Sequence, residues 1–242
     1  MLKILFSPSE GKNSGGTEKK SDILGGYGAR SDILNSYNDI VKSKNEEQIT
    51  KLFGFKKFSD CKPYIDTIFD TEYMAAIERY NGVAYEYLDY PSLDKSAQEY
   101  LKKNTIIFSN LYGAILGGNA IANYKVKQGN SIGTIVPDKF YKERFSYQLD
   151  LFLASDEILD LRAGYYDKFY KPNKTFTTLK FLKNGKSVSH WAKAYRGKVL
   201  RELAKHTITS IKELLSLEIE GLHVKEILKT KKKTEIVFDI ED

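Results

Sequence analysis

The chain has 242 residues, 41% of them hydrophobic and 29% charged, with a single cysteine and a formal net charge of +6. That length is enough to bury a full hydrophobic core, and the composition is ordinary for a globular protein. No apolar run approaches the roughly 18–20 residues of a bilayer crossing, the N-terminal LKILF is too short for a signal-peptide core of about 7–15 residues, and Cys61 alone allows no intrachain disulfide, so the expectation is a cytoplasmic protein.

The charge is unevenly placed. Residues 168–233 carry 17 Lys and Arg against 5 Asp and Glu, a local +12, while the rest of the chain carries 21 against 27. A basic lobe on an otherwise acidic chain suggests an anionic partner, and a solvated lysine-rich surface is the equal alternative.

In chain order, the first predicted element is the strand LKILF, which runs into the loop SPSEGKNS. A nucleotide P-loop requires G-x-x-x-x-G-K-[ST]. Here Phe6 stands five positions before Gly11 and Asn13 follows Lys12, so both anchor positions fail. What remains is a strand-end loop whose backbone N–H groups, Ser7 hydroxyl and Lys12 ammonium can hold a phosphate oxygen, or else a plain surface turn. Residues 28–45 read as an amphipathic helix, with Ile33, Leu34, Tyr37, Ile40 and Val41 at helical spacing. Residues 45–70 read as two short helices joined at Gly54. Within them, ITKLFGFKKFSD has the order helix, hydrophobic-Gly-hydrophobic turn, helix. That is the pattern of a helix-hairpin-helix, whose turn amides and second helix N-terminus meet a DNA phosphate. Lys56 and Lys57 would add charge there. The second glycine of such a hairpin is absent, with Lys56 near its place, so a simple helical corner is the competing reading.

TEYMAAIERY, residues 71–80, reads as a helix ended by Asn81-Gly82. SLDKSAQEYLKKN reads as a helix from a Ser92 N-cap to about Lys103. Residues 105–108, TIIF, form a buried strand that enters a glycine-rich loop carrying Ser109 and Tyr112. Residues 175–190 form a hairpin by the Asn184-Gly185 signal. HWAKAYRGKVLRELAKH is a helix whose core side holds Trp191, Ala192, Tyr195, Val199, Leu200 and Leu203, with Lys198, Arg201 and Lys205 opposite. Lys193 and Arg196 lie on the border of the apolar stripe, either at a groove edge or as snorkelling side chains. Gly197 beside them costs up to ~1 kcal/mol of helix stability against Ala, which suggests close approach of a ligand or another backbone. A further helix follows behind Thr209 or Ser210, and residues 232–242 end the chain as a strand. Interleaved helices and strands with a clear hairpin predict a mixed α/β (α+β) fold with a partly antiparallel sheet, one domain over residues 1–242, and a helical subregion at about 30–103.

Familiar catalytic and metal patterns are missing. His190, His206 and His223 are 16 and 17 apart, unlike zinc ligands. Asp156, Glu157 and Asp160 flank a strand, where acids usually face water. No G-x-S-x-G or H-E-x-x-H occurs, and no metal or cofactor is expected.

Taken together and in order, KILFSPSEGK, RYNGVAYEYLDY, FSNLYGAILGGNAIANYKVKQG and HWAKAYRGKVLREL resemble the YaaA family of peroxide-stress resistance proteins over residues 1 to about 225. The most specific pieces are F-S-x-L-Y-G followed by the pair Tyr124-Lys125, and K-x-x-R-G from Lys193 to Gly197. The chain departs from better-known members at Ser7–Lys12, where they carry S-P-A-K-T, at Ile115–Asn119, where they carry L-R-P-x-D, and at Asn110 and Lys125, where they carry Gly and Arg. The resemblance implies a compact α/β protein with a basic cleft that binds DNA through a helix-hairpin-helix element and limits damage during hydrogen peroxide stress. The hairpin segment matches KLFGFKK.

The leading expectation is therefore a DNA-binding protein, selective for double-stranded or structured DNA rather than for sequence. Ser7, Lys12, Gly54, Lys56, Lys57, Ser109, Tyr112, Lys125, Lys193 and Arg196 are its candidate contacts, and a small phosphate ligand is also compatible. The rival is an enzyme acting on a nucleotide or modified nucleic acid in a pocket of Ser7, Lys12, Ser109 and Tyr112, with Tyr112 or Glu10 transferring the proton. A protein-binding module with a merely solvated basic lobe is the third alternative.

Overall fold

The structure, a computed structural model, describes residues 1–20 and 22–241 without the side chains of Ser189 and His190. His190, one of the three histidines weighed above, thus lies outside the described side chains.

The chain opens with β1 (Leu2–Phe6), four of whose five residues are buried. A helical stretch follows. α1 (Ser31–Lys42) buries Ile33, Leu34, Tyr37 and Val41, the face its spacing predicts. α2 (Glu46–Phe53) is capped by Asn45, whose side chain accepts from the Gln48 N–H, and it ends at Gly54 in the left-handed region. Next come β2 (Tyr73–Ala75), α3 (Ala76–Arg79), α4 (Val83–Leu88), α5 (Lys95–Asn104), β3 (Thr105–Ser109), β4 (Gly113–Leu116) and β5 (Ala120–Ala122). The second half holds α6 (Pro137–Phe152), β6 (Glu157–Asp160), β7 (Phe176–Lys183), β8 (Lys186–Ser187), α7 (Ser189–Lys205), α8 (Ile211–Leu215), β9 (Leu222–Lys229) and β10 (Lys233–Ile240).

The mixed α/β expectation holds. One sheet of eight strands runs in the order β4-β3-β1-β6-β7-β10-β9, with β8 paired to the end of β7. The five inner strands are parallel, and β4 and β9 are antiparallel edges. β2 and β5 form a separate antiparallel pair. Parallel strands buried on both faces read as near-continuous apolar runs, as TIIF does and as LKILF does except at Lys3.

Several local expectations change. The helix expected over residues 71–80 is a strand and then one helical turn, because Tyr73–Ala75 pairs with Ala120–Ala122. The glycine-rich loop after residue 108 contains β4 and β5. The segment after Gly54 is a 3-10 helix, Phe58–Tyr64, with Pro63 inside it, rather than a second α-helix. α5 is capped by Asp94, which accepts from the Ala97 N–H at 2.8 Å, and not by Ser92. Trp191 is 45% exposed, while Tyr195, Val199, Leu200 and Leu203 are buried. The hairpin stands as expected: Asn184 and Gly185 both take positive φ, 52° and 73°, the backbone that a two-residue turn of this hand demands.

Candidate functional site

Topology places the site. The chain leaves β1 and goes to β3 on one side, then crosses to β6 on the other. Where successive connections part in this way, the loops at the carboxyl ends of the strands leave a crevice between them. At that point lies a pocket of about 340 Å³. Its walls are the loop after β1 (Phe6 to Glu10), the start of α4 (Gly82 to Tyr85), the loop after β6 (Leu161, Ala163, Tyr166), Gln128, and Lys193 and Arg196 of α7.

The walls are tied together by buried polar contacts. Ser7 Oγ accepts from the Ala163 N–H at 2.8 Å, and the Ser7 carbonyl accepts from the Tyr85 hydroxyl at 2.9 Å. Asp160, at the end of β6, gives both carboxylate oxygens to Arg162, at 2.9 and 2.6 Å. Arg162 also donates to the Tyr166 carbonyl at 3.0 Å, which fixes the turn carrying Tyr166. α7 reaches the pocket because of Gly197. A Cβ there would stand 2.0 Å from the Ala84 carbonyl oxygen, so only glycine lets the backbones of α7 and α4 touch. Of the two alternatives raised for this glycine, the close neighbour is another backbone.

The two sides of the pocket differ electrostatically. On one side Glu10 is neutralised. Lys125 Nζ lies 3.3 Å from its Oε2 and 3.3 Å from its carbonyl, and the Gln128 N–H donates to Oε1 at 3.1 Å. Lys12 is tucked behind, with Nζ 4.0 Å from the centre of the Tyr124 ring and 3.4 Å from the Ser9 carbonyl oxygen it bonds. Burial, then the nearby Lys125, pulls its pKa from 10.5 down to about 7; Glu10 opposes the shift and Arg79 adds to it. The Tyr124 hydroxyl shares hydrogen bonds with Tyr80 at 2.8 Å and Ser109 at 2.7 Å.

On the other side, Lys193 is exposed and Arg196 half-buried, one helical turn apart. Burial lowers the Arg196 pKa, and Asp160 works against that, but the Asp160 oxygens already serve Arg162. Among the described residues, neither Lys193 nor Arg196 makes a hydrogen bond or ion pair. Two cations whose N–H groups have no protein partner among the described residues, on the rim of a concave pocket, suit an anion that brings several acceptor oxygens.

The fold brings Ser7, Lys193 and Arg196 to the pocket surface and sets Lys12 and Lys125 directly behind it. It does not bring Ser109 and Tyr112 there. Both are 0% exposed, and Ser109 Oγ is occupied by Tyr124 and by the amides of Leu111 and Tyr112. They brace the cleft from behind, so a pocket of Ser7, Lys12, Ser109 and Tyr112 does not form. Gly54 also differs from expectation. Its N–H is taken by the Thr50 and Lys51 carbonyls and is not free for a phosphate. Lys56 and Lys57 are exposed. This corner touches the site through Phe55, whose ring centre lies 5.3 Å from Lys125 Nζ. Sequence reasoning missed Tyr85, Gln128, Tyr166 and the Asp160–Arg162 clamp. The clamp had a signal, an acid ending an apolar strand two residues before an arginine. Among the described residues, no three His, Cys, Asp or Glu side chains converge as metal ligands, and no helix is long and apolar enough to cross a membrane.

Fold and site together define a mixed α/β protein with a cation-edged pocket at the ends of its parallel strands. The chain belongs to the peroxide stress protein YaaA family, whose model matches residues 2–228. It is 44% identical to an uncharacterized protein of Campylobacter jejuni over the full length of both chains. It is 28% identical to a UPF0246 protein of Fusobacterium nucleatum over 96% of each chain. A UPF0246 protein of Lactobacillus helveticus is 24% identical over 88% of each.

Proposed function

We propose that this chain is a DNA-binding protein that acts in the peroxide-stress response of the cell interior and grips backbone phosphates along the α7 edge of the strand-end pocket. The observation that carries the reading is the pair Lys193 and Arg196, both in the pocket lining and neither in a hydrogen bond or ion pair among the described residues. Two further features support it: the +12 segment that contains them, and membership of a family named for peroxide stress. Lys56 and Lys57 are exposed beyond Phe55 and add positive charge there. Phosphate contacts of this kind fix position without reading bases, so the reading is of structure-selective rather than sequence-specific binding.

The test is fluorescence anisotropy of a labelled duplex with the wild type and with Lys193→Ala/Arg196→Ala. Losing two charge-assisted contacts is expected to weaken binding by about 10- to 100-fold, with unfolding unchanged. Unchanged affinity would overturn the reading.

A further inference from the structure

The pocket is too small for a double helix. At about 340 Å³ it lies at the lower end of the ~300–1,000 Å³ range typical of small-ligand sites. A duplex held by Lys193 and Arg196 therefore lies across the mouth and leaves the interior to be filled by something of one-residue size. The lining is divided in character. Arg196 and Lys193 stand on one wall. Phe6, Val83, Leu161 and the phenol rings of Tyr85 and Tyr166 supply apolar and aromatic surface. The polar groups beyond are Gln128, whose Oε1 accepts from Tyr166 at 3.4 Å, and Glu10, held by Lys125.

An anion site joined to an aromatic, apolar recess with hydrogen-bonding groups at its edge has the chemistry of a nucleotide. The phosphate matches the two cations, a base matches the phenol and aliphatic surface, and the amide and carboxylate suit the exocyclic groups of a base edge. Two glycines shape the pocket for such a guest. Gly197 allows α7 to sit against α4. Gly82 takes φ +106°, and a Cβ there would come within 2.9 Å of Ser9 Oγ, between the two loops that frame the opening.

Resting on the DNA-binding reading above, we infer that this pocket takes one nucleoside monophosphate unit, everted from the bound strand, with its phosphate on Arg196 and Lys193 and its base against Tyr85, Tyr166 and Leu161. Eversion is least costly where a base is mismatched, damaged or already unpaired. Affinity therefore ranks single strands and mismatched duplexes above a matched duplex of the same length. A free mononucleotide presents the same groups, and the experiment separates the two sources.

Oligonucleotides carrying one 2-aminopurine, single-stranded and opposite a mismatch, are titrated with the full-length protein while anisotropy and 2-aminopurine emission are read together. In parallel, thermal unfolding is followed with millimolar deoxynucleoside monophosphates. The expected result is a rise in 2-aminopurine emission that saturates with the anisotropy, with the emission rise lost and the binding weakened in Arg196→Ala. Saturating anisotropy with flat emission and no shift from any mononucleotide overturns the nucleotide pocket and leaves DNA binding standing. Absence of anisotropy change overturns the DNA-binding reading itself. The mononucleotide arm then decides the pocket: a stabilisation that Arg196→Ala abolishes assigns it to a free nucleotide, and no stabilisation overturns it.

Discussion

Two segments of this chain set basic residues beside a glycine: F-G-F-K-K at 53–57 and K-A-Y-R-G at 193–197. In the sequence they look like equal candidates for holding a phosphate. In the fold, each glycine is demanded by backbone geometry. Gly54 takes φ +75° to end α2, and Gly197 lets α7 meet α4. The difference is in what is left over. At the first segment the glycine amide is consumed by the helix cap, and acidic Glu46 and Glu47 share the neighbouring shallow surface with Phe55. At the second, the glycine seats α7 against the Ala84 carbonyl, and Lys193 and Arg196 beside it make no hydrogen bond or ion pair among the described residues. A motif names the groups present, whereas only the hydrogen-bond accounting of the folded chain says which stay free for a ligand.

The largest effect is expected at the clamp that holds the pocket wall. Arg162→Ala leaves the Asp160 carboxylate buried without its partner, and both side chains are almost fully enclosed, at 1% and 7% exposure. The expected loss is about 3–5 kcal/mol in urea denaturation, with DNA affinity falling at the same time. Gly197→Ala forces a Cβ against a backbone oxygen, and overpacking of this kind costs about 1–3 kcal/mol. Because it drives α7 off α4, it is also expected to weaken DNA binding. Gly54→Ala costs about 1–2 kcal/mol from the left-handed backbone, with the Lys127 side chain adding a clash. DNA affinity of the folded variant is expected to stay close to wild type. That pair of glycine variants, matched in stability and opposed in binding, sharpens the contrast most.

A smaller effect concerns Lys12. Its folded pKa of about 7 lies below the ordinary 10.5, so between these values the unfolded chain holds a proton that the folded chain has lost. Stability therefore rises with pH across that window. Below pH 7 both states are protonated and the cost is constant. Lys12→Met is expected to flatten the rise, as read by denaturation at a series of pH values between 6 and 10. The smallest effect is expected from Lys56→Ala/Lys57→Ala. As exposed, salt-screened charges, these lysines should change DNA affinity less than the α7 pair does.

Much of this was readable in advance, for physical reasons. LKILF announces a strand and TIIF a buried one, Asn184-Gly185 announces its hairpin, and Gly197 announces a close approach. What the sequence hid was mostly edge structure. β9 has seven of its eight residues exposed and no alternation. β2, β4 and β5 are only three or four residues long. α6 buries Phe140, Tyr141, Phe145 and Leu149 but leaves Tyr147, Leu151 and Phe152 exposed, which blurs its periodicity. In the site, Ser7, Lys193 and Arg196 were legible because a strand end and a helix border are fixed by local pattern. The burial of Ser109 and Tyr112 was not, because it depends on Tyr124 and Tyr80 arriving from other segments.

The most direct measurement is the salt dependence of DNA binding by the wild type and by Lys193→Ala/Arg196→Ala. Each phosphate neutralised on duplex DNA contributes about 0.9 to the slope of log affinity against log salt. The double variant is expected to lose about 1.8 from that slope together with its affinity. An identical slope in the two proteins would contradict it.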